Sequence, residues 1–98
     1  MSLDYSLNKI QNITNLSGLQ NLVYLNLSQN QITHITGLNK LKKLSILDLS
    51  MNLIEKIENL EGLDELEQLI LYGNRIRVIE NLDGIENLKV LRINNNRL

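Results

Sequence analysis

Apolar and polar positions repeat every 22 residues from one end of this chain to the other. Leu3, Leu25, Leu47, Leu69 and Leu91 form one column, and Tyr5, Leu27, Leu49, Leu71 and Ile93 form the next. A third runs through Ile10, Ile32, Ile54, Ile76 and Leu98. Four more begin at Ile13, Leu16, Leu19 and Leu22 and hold the same interval to Ile79, Leu82, Ile85 and Leu88. Four repeats and a partial fifth therefore make residues 1–98 a single repeat domain. One unit of this size cannot bury its own apolar edge, so stability must come from stacking neighbours.

Two periods alternate within each unit. The stretch Tyr24-Leu25-Asn26-Leu27-Ser28 alternates polar and apolar, which predicts a short strand with Leu25 and Leu27 inward. From Ile35 to Leu44 the apolar residues fall at every third position, the spacing of a 3₁₀-like or extended segment in which i and i+3 eclipse. The pattern predicts parallel strands near residues 2–6, 24–28, 46–50, 68–72 and 90–94 on a concave face, with the period-three legs on the convex face. The expected fold is an α/β solenoid: a curved, right-handed stack of short parallel strands with little regular helix. Asn8, Asn30, Asn52, Asn74 and Asn96 stand just past each strand. A side-chain amide offers donors and an acceptor to backbone groups that a turn leaves without ladder partners, so this column reads as structural.

The pattern Leu-x-x-Leu-x-Leu-x-x-Asn-x-Ile-x-x-Ile resembles leucine-rich repeats and covers essentially the whole chain. Within them, Ile57-Glu58-Asn59-Leu60 and Ile79-Glu80-Asn81-Leu82 are similar to the nuclear regulatory subunit of protein phosphatase 1 and its relatives, which include the outer-arm dynein light chain. Bacterial internalins share the 22-residue length but usually carry proline where this chain has Asn15, Gly37, Asn59 and Asn81, and the absence of proline weighs against them. The resemblance implies a protein-binding scaffold, with a phosphatase regulator as the leading reading. The alternatives are a cytoskeletal or dynein-associated adaptor, or a structural fragment of consensus-like repeats without its native partner. Relatives usually flank their repeats with caps. None is visible here, so a piece of a longer array, with open ends prone to self-association, is expected.

Composition narrows the function. The net charge is −1 with no basic face in the sequence, which argues against a nucleic-acid partner. No apolar run approaches the ~20 residues of a membrane helix. Cysteine is absent, which favours an intracellular protein of cytoplasm or nucleus. The sequons at Asn12, Asn15 and Asn26 are then silent. Catalysis needs a nucleophile with a base, a carboxylate pair or a metal cluster. The lone His34 reads as an exposed turn residue, and no metal or cofactor is expected. Acidic residues gather in the third repeat, where the 22-residue register sets Lys42 beside Asp64, Lys43 beside Glu65, Glu55 beside Arg77 and Glu67 beside Lys89. These read as exposed cross-coil pairs worth on the order of 0–1 kcal/mol each.

The variable strand positions remain. Three outward columns are expected on the concave face: Ser2, Tyr24, Ile46, Gln68, Val90; then Asp4, Asn26, Asp48, Ile70, Arg92; then Ser6, Ser28, Ser50, Tyr72, Asn94. Most are small or polar. Tyr24, Ile46, Ile70, Tyr72 and Val90 are not, and they predict one apolar patch bordered by Asp48 and Arg92. The candidate partner-binding residues are Tyr24, Ile46, Asp48, Ile70, Tyr72 and Arg92. In the phosphatase regulator, acidic and aromatic residues of these columns contact the partner. Asp4 and Asp48 match the acidic type, and Tyr24 and Tyr72 the aromatic type.

Overall fold

The computed structural model describes residues 1–13, 16 and 18–98. Two of the sequons, at Asn12 and Asn15, depend on residues outside that set. Five three-residue strands, β1 (Ser2–Asp4), β2 (Tyr24–Asn26), β3 (Ile46–Asp48), β4 (Gln68–Ile70) and β5 (Val90–Arg92), form one parallel sheet in sequence order, and no helix occurs among the described residues. The register is the repeat itself: Leu3 faces Leu25, Leu25 faces Leu47, Leu47 faces Leu69 and Leu69 faces Leu91. Each strand opens one coil, numbered 1 to 5 with its strand.

The return legs are chains of tight turns. Leu41 N–H donates to Leu38 O at 3.0 Å and Leu44 N–H to Leu41 O at 3.1 Å, and the same pair of bonds recurs at Leu63 and Leu66 and at Ile85 and Leu88. Each bond spans three residues and links consecutive core positions, which is how the period of three folds. The seven columns converge on one core in which Leu44, Leu47, Leu49, Ile54, Ile57 and Leu63 are fully buried. Three members of inward columns, each without a stacked coil on one side, are not covered: Tyr5 is 40% exposed, Ile79 51% and Leu98 61%.

The strands are shorter than the five residues expected, and side chains explain why. A regular ladder would carry Ser50 N–H to Leu27 O. Instead Ser50 N–H donates to Asp48 Oδ1 at 3.0 Å, and Leu27 O accepts from Asn52 Nδ2 at 3.0 Å. The opposite bonds persist, with Leu27 N–H on Asp48 O at 2.8 Å and Gln29 N–H on Ser50 O at 3.0 Å. Past each strand, half of the ladder is thus handed to Asp and Asn side chains.

The asparagine column does what its amide chemistry predicts. Asn52 Oδ1 accepts Ile32 N–H of the preceding coil at 3.0 Å, and Nδ2 donates to Leu27 O of that coil and Leu49 O of its own, both at 3.0 Å. Asn74 repeats the set with Ile54, Leu49 and Leu71, and Asn96 with Ile76, Leu71 and Ile93. Asn8, in coil 1, bonds only within its own coil. A second amide ladder, absent from the sequence reading, lies across the convex side. Asn59 Nδ2 donates to Ile35 O at 2.8 Å and Asn81 Nδ2 to Ile57 O at 2.7 Å. Asn59 and Asn81 hold φ near +58° and +59°, and Gly37 in the same column +72°. Glycine enters that region freely, and asparagine does so more readily than most residues.

The cross-coil charge pairs are fewer than expected. Lys89 meets Glu67 at 3.2 Å, as the register predicts. Lys42 does not meet Asp64: its Nζ donates to Gly62 O at 3.1 Å. Among the described residues a second cross-coil contact sets His34 Nδ1 3.3 Å from Glu58 Oε2, within hydrogen-bond reach. Neither Lys43 with Glu65 nor Glu55 with Arg77 is formed there, because exposed charges on flexible stems gain little from a fixed partner.

Candidate functional site

The open face of the sheet is built from strand positions that alternate away from the core. The register sets Tyr24 beside Ile46, Ile46 beside Gln68 and Gln68 beside Val90. In the next column Asn26 lies beside Asp48, Asp48 beside Ile70 and Ile70 beside Arg92. Neighbouring strands in a sheet stand about 4.8 Å apart, so Ile46, Asp48, Ile70 and Arg92 occupy one continuous area. Tyr72 follows two residues after Ile70 on the same face. Tyr24, Ile46, Asp48, Ile70 and Tyr72 are half-buried and Arg92 is exposed. The apolar patch is less continuous than expected, because Gln68 separates Ile46 from Val90.

The third column departs from expectation in coils 2 and 3. Ser28 and Ser50 were expected to be open, yet Ser50 is only 1% exposed and Ser28 is also buried. The cause is a local motif. Asp48 Oδ1 accepts both Ser50 N–H at 3.0 Å and Ser50 Oγ–H at 2.6 Å. Asn26 Oδ1 holds Ser28 N–H and Oγ–H at 3.0 and 2.7 Å, and Asp4 Oδ1 holds those of Ser6 at 3.0 and 2.7 Å. In coil 1 these bonds from the Ser6 hydroxyl, and then from its backbone, hold the Asp4 carboxyl below its ordinary pKa. One oxygen of Asp48, a candidate contact residue, is thereby engaged inside its own coil.

The motif stops at coil 4. Ile70 and Arg92 replace the Asp or Asn, and Tyr72 and Asn94 replace the Ser. Among the described residues, the backbone N–H of Tyr72 and of Asn94 makes no hydrogen bond, and neither do the Tyr72 hydroxyl and the Arg92 guanidinium. The carbonyls of coils 4 and 5 remain engaged as in the other coils: Met51 N–H donates to Tyr72 O at 2.9 Å and Gly73 N–H to Asn94 O at 3.1 Å.

Sequence reasoning also passed over the arginines. All four, Arg75, Arg77, Arg92 and Arg97, fall in coils 4 and 5. Arg75 and Arg97 stack in register just past β4 and β5, and their backbones are fixed by bonds to Ile54 O and Ile76 O, both at 2.8 Å. All four are exposed, and no arginine is in an ion pair among the described residues. Their clustering was legible in the sequence once the concave edge was located. No group of three or more His, Cys, Asp or Glu side chains is arranged to hold a metal ion among the described residues.

A family profile of two leucine-rich-repeat copies matches residues 20–62. No curated protein matches the chain. Among solved structures, an internalin (inlF) from Listeria monocytogenes is 31% identical, with a TM-score of 0.84 over 93% of this chain and 27% of its own. Internalin C2 of the same organism is 36% identical with a TM-score of 0.84, over 92% of this chain and 40% of its own. The receptor of a TLR13–ssRNA13 complex is 33% identical with a TM-score of 0.85, over 97% of this chain and 14% of its own. The chain thus spans less than half of each of these proteins. The likeness to internalins holds despite the missing prolines. Proline, locked near φ −65°, could not adopt the +58° and +59° of Asn59 and Asn81. The convex turns here use an amide ladder in that column instead. Period, register, ladder and neighbours agree on the fold, which is that of a leucine-rich-repeat solenoid.

Proposed function

We propose that the chain is a protein-binding scaffold whose partner docks on the concave sheet face, centred on coils 3 to 5. The observation that carries this reading is the end of the Asx–Ser motif. In coils 1 to 3 the Asp or Asn of the second column accepts from the backbone N–H and the hydroxyl of the Ser two residues on. In coils 4 and 5 the same positions hold Ile70, Tyr72 and Arg92, whose side chains make no hydrogen bond among the described residues. Aromatic and Arg side chains are the residue types that anchor interfaces, since they offer large contact area at modest entropic cost. Tyr24, Ile46 and Asp48 extend the face toward the first coils.

The resemblance of the repeats makes a protein phosphatase catalytic subunit the first partner to try, inside the cell. A cytoskeletal or dynein-associated partner is the second. The test is the affinity of purified candidates for wild type, for Tyr72→Ala and Arg92→Ala, and for the convex changes Lys40→Ala, Asp64→Ala and Glu86→Ala. Tyr72→Ala should weaken binding by about 1–2 kcal/mol, with the convex variants unchanged. Loss from the convex set with Tyr72→Ala silent would move the interface off the sheet.

A further inference from the structure

Coils 1 to 3 carry, built in, the group that coils 4 and 5 lack. At each of the first three coils an Asp or Asn oxygen caps the backbone N–H two residues on, at 3.0 Å. In two of the three that oxygen is a carboxylate, from Asp4 and Asp48. At coils 4 and 5 the equivalent donors, Tyr72 N–H and Asn94 N–H, are uncapped among the described residues, and the residue in the capping position of coil 5 is the cation Arg92. Arg75 and Arg97 add two more exposed guanidinium groups just beyond the ends of the same two strands. Donors without acceptors on the same two coils as unpaired arginines, with Arg92 in register beside Ile70, are complementary to carboxylates, which Arg binds by charge-assisted, often bidentate hydrogen bonds.

We propose that the partner is an acidic polypeptide segment. Its Asp or Glu carboxylates take, at coils 4 and 5, the place that Asp48 Oδ1 takes at coil 3. They accept from Tyr72 N–H or Asn94 N–H and pair with Arg92, while an apolar residue of the segment packs on Ile70 and the Tyr72 ring. The proposal rests on the concave-face reading and deepens it by naming the chemistry of the partner. The overall charge of −1 gives no general pull on anions, so any selectivity for acid must be local to this corner.

Random twelve-residue peptides displayed on phage, panned against the whole chain, test it. Wild type should select peptides enriched several-fold in Asp and Glu, and the affinity of the best of them should fall with rising salt. Two variants should erase the acid preference, and the second, which leaves Ile70 and Tyr72 in place, should still retain apolar peptides. Ile70→Asn supplies an internal cap to Tyr72 N–H, as Asn26 does for Ser28, without adding charge. Arg92→Gln removes the cation. Each should weaken a selected acidic peptide about tenfold, the equivalent of roughly 1.4 kcal/mol, with unchanged thermal melts. Peptides without acid enrichment that are lost with Tyr72→Ala would overturn the acidic partner and leave the docking face standing. Recovery indifferent to Tyr72→Ala would overturn both. Tighter binding of a uridine oligonucleotide than of any selected peptide would assign the corner to phosphates and overturn the proposal.

Discussion

Coils 1 to 3 and coils 4 and 5 have the same backbone path and the same inward leucines, but their open faces differ in kind. On the first three, Asp4, Asn26 and Asp48 turn back on Ser6, Ser28 and Ser50, and the hydroxyls of the two inner serines are buried beneath the face. On the last two, Ile70, Tyr72 and Arg92 stand at the same register positions, and their side chains make no hydrogen bond among the described residues. Repeats that must stack are held to one solution by the core and the amide ladder. Positions that neither stack nor cap are free to take up other chemistry, so in a solenoid the place where an outward motif breaks is more informative than any single residue on it.

The ladder is what the two regions share, and it bears the largest expected effect. Asn52→Ala in coil 3 and Asn74→Ala in coil 4 each remove bonds to buried carbonyls and to one N–H of the preceding coil. Each should destabilise by about 1–3 kcal/mol in urea melts, and the two costs should agree. Asn8→Ala, which loses only bonds within an exposed turn, should cost far less. Unequal losses at Asn52 and Asn74 would mean that the coils differ in backbone support as well as in surface.

A graft tests the surface difference directly. Ile70→Asp with Tyr72→Ser writes the coil 3 motif into coil 4. Its backbone N–H gains an acceptor while the face loses its aromatic ring, so stability should hold within about 0.5 kcal/mol. Binding should fall by at least about 1–2 kcal/mol. Calorimetry on the partner and a thermal melt of the same sample separate the two outcomes. Retained affinity in the graft would show that the motif break is incidental.

Ser50→Ala should cost about 1 kcal/mol, since a buried hydroxyl loses its 2.6 Å bond to Asp48 Oδ1. Asn94→Ala, at the matching exposed position of coil 5, should be neutral. Chemical denaturation of the pair reads the difference, and a neutral Ser50→Ala would remove the energetic distinction between the two halves of the face.

The inward columns, the register and the role of Asn52 were legible in the sequence because each depends on spacing alone. Strand length was not. It depends on Ser50 N–H choosing Asp48 Oδ1 over Leu27 O, and both choices fit an alternating pattern. The burial of Ser28 and Ser50 was hidden for the same reason. The convex ladder was half visible: Gly37, Asn59 and Asn81 are the residue types that tolerate positive φ, but the column gives no hint that the amides reach back one coil. A further left-handed column, Leu7, Gln29, Met51, Gly73 and Asn95, carries only two favourable residue types and sent no signal. Among the candidate contacts, Tyr24, Ile46, Ile70, Tyr72 and Arg92 stood out by side-chain type. The free donors at Tyr72 and Asn94 became visible only against the capped serines of the earlier coils.

The smallest effect concerns pH and again sets one coil against another. Asp4 is fully exposed, and its bonds to Ser6 lower its pKa. A carboxyl whose pKa is depressed by folding contributes stability above its unfolded value, near 4. That contribution is lost as the pH falls through the lower folded value. Coil 2 holds the same turn with the non-titrating Asn26, so Asp4→Asn keeps the geometry and removes the proton. Wild type should therefore be slightly more stable than Asp4→Asn at neutral pH, and the difference should disappear as the pH falls below the ordinary aspartate value and Asp4 takes up its proton. Urea melts of both proteins from neutral pH downward measure it. A difference that persists once Asp4 is protonated would assign the advantage to packing or local geometry and not to the charge on Asp4.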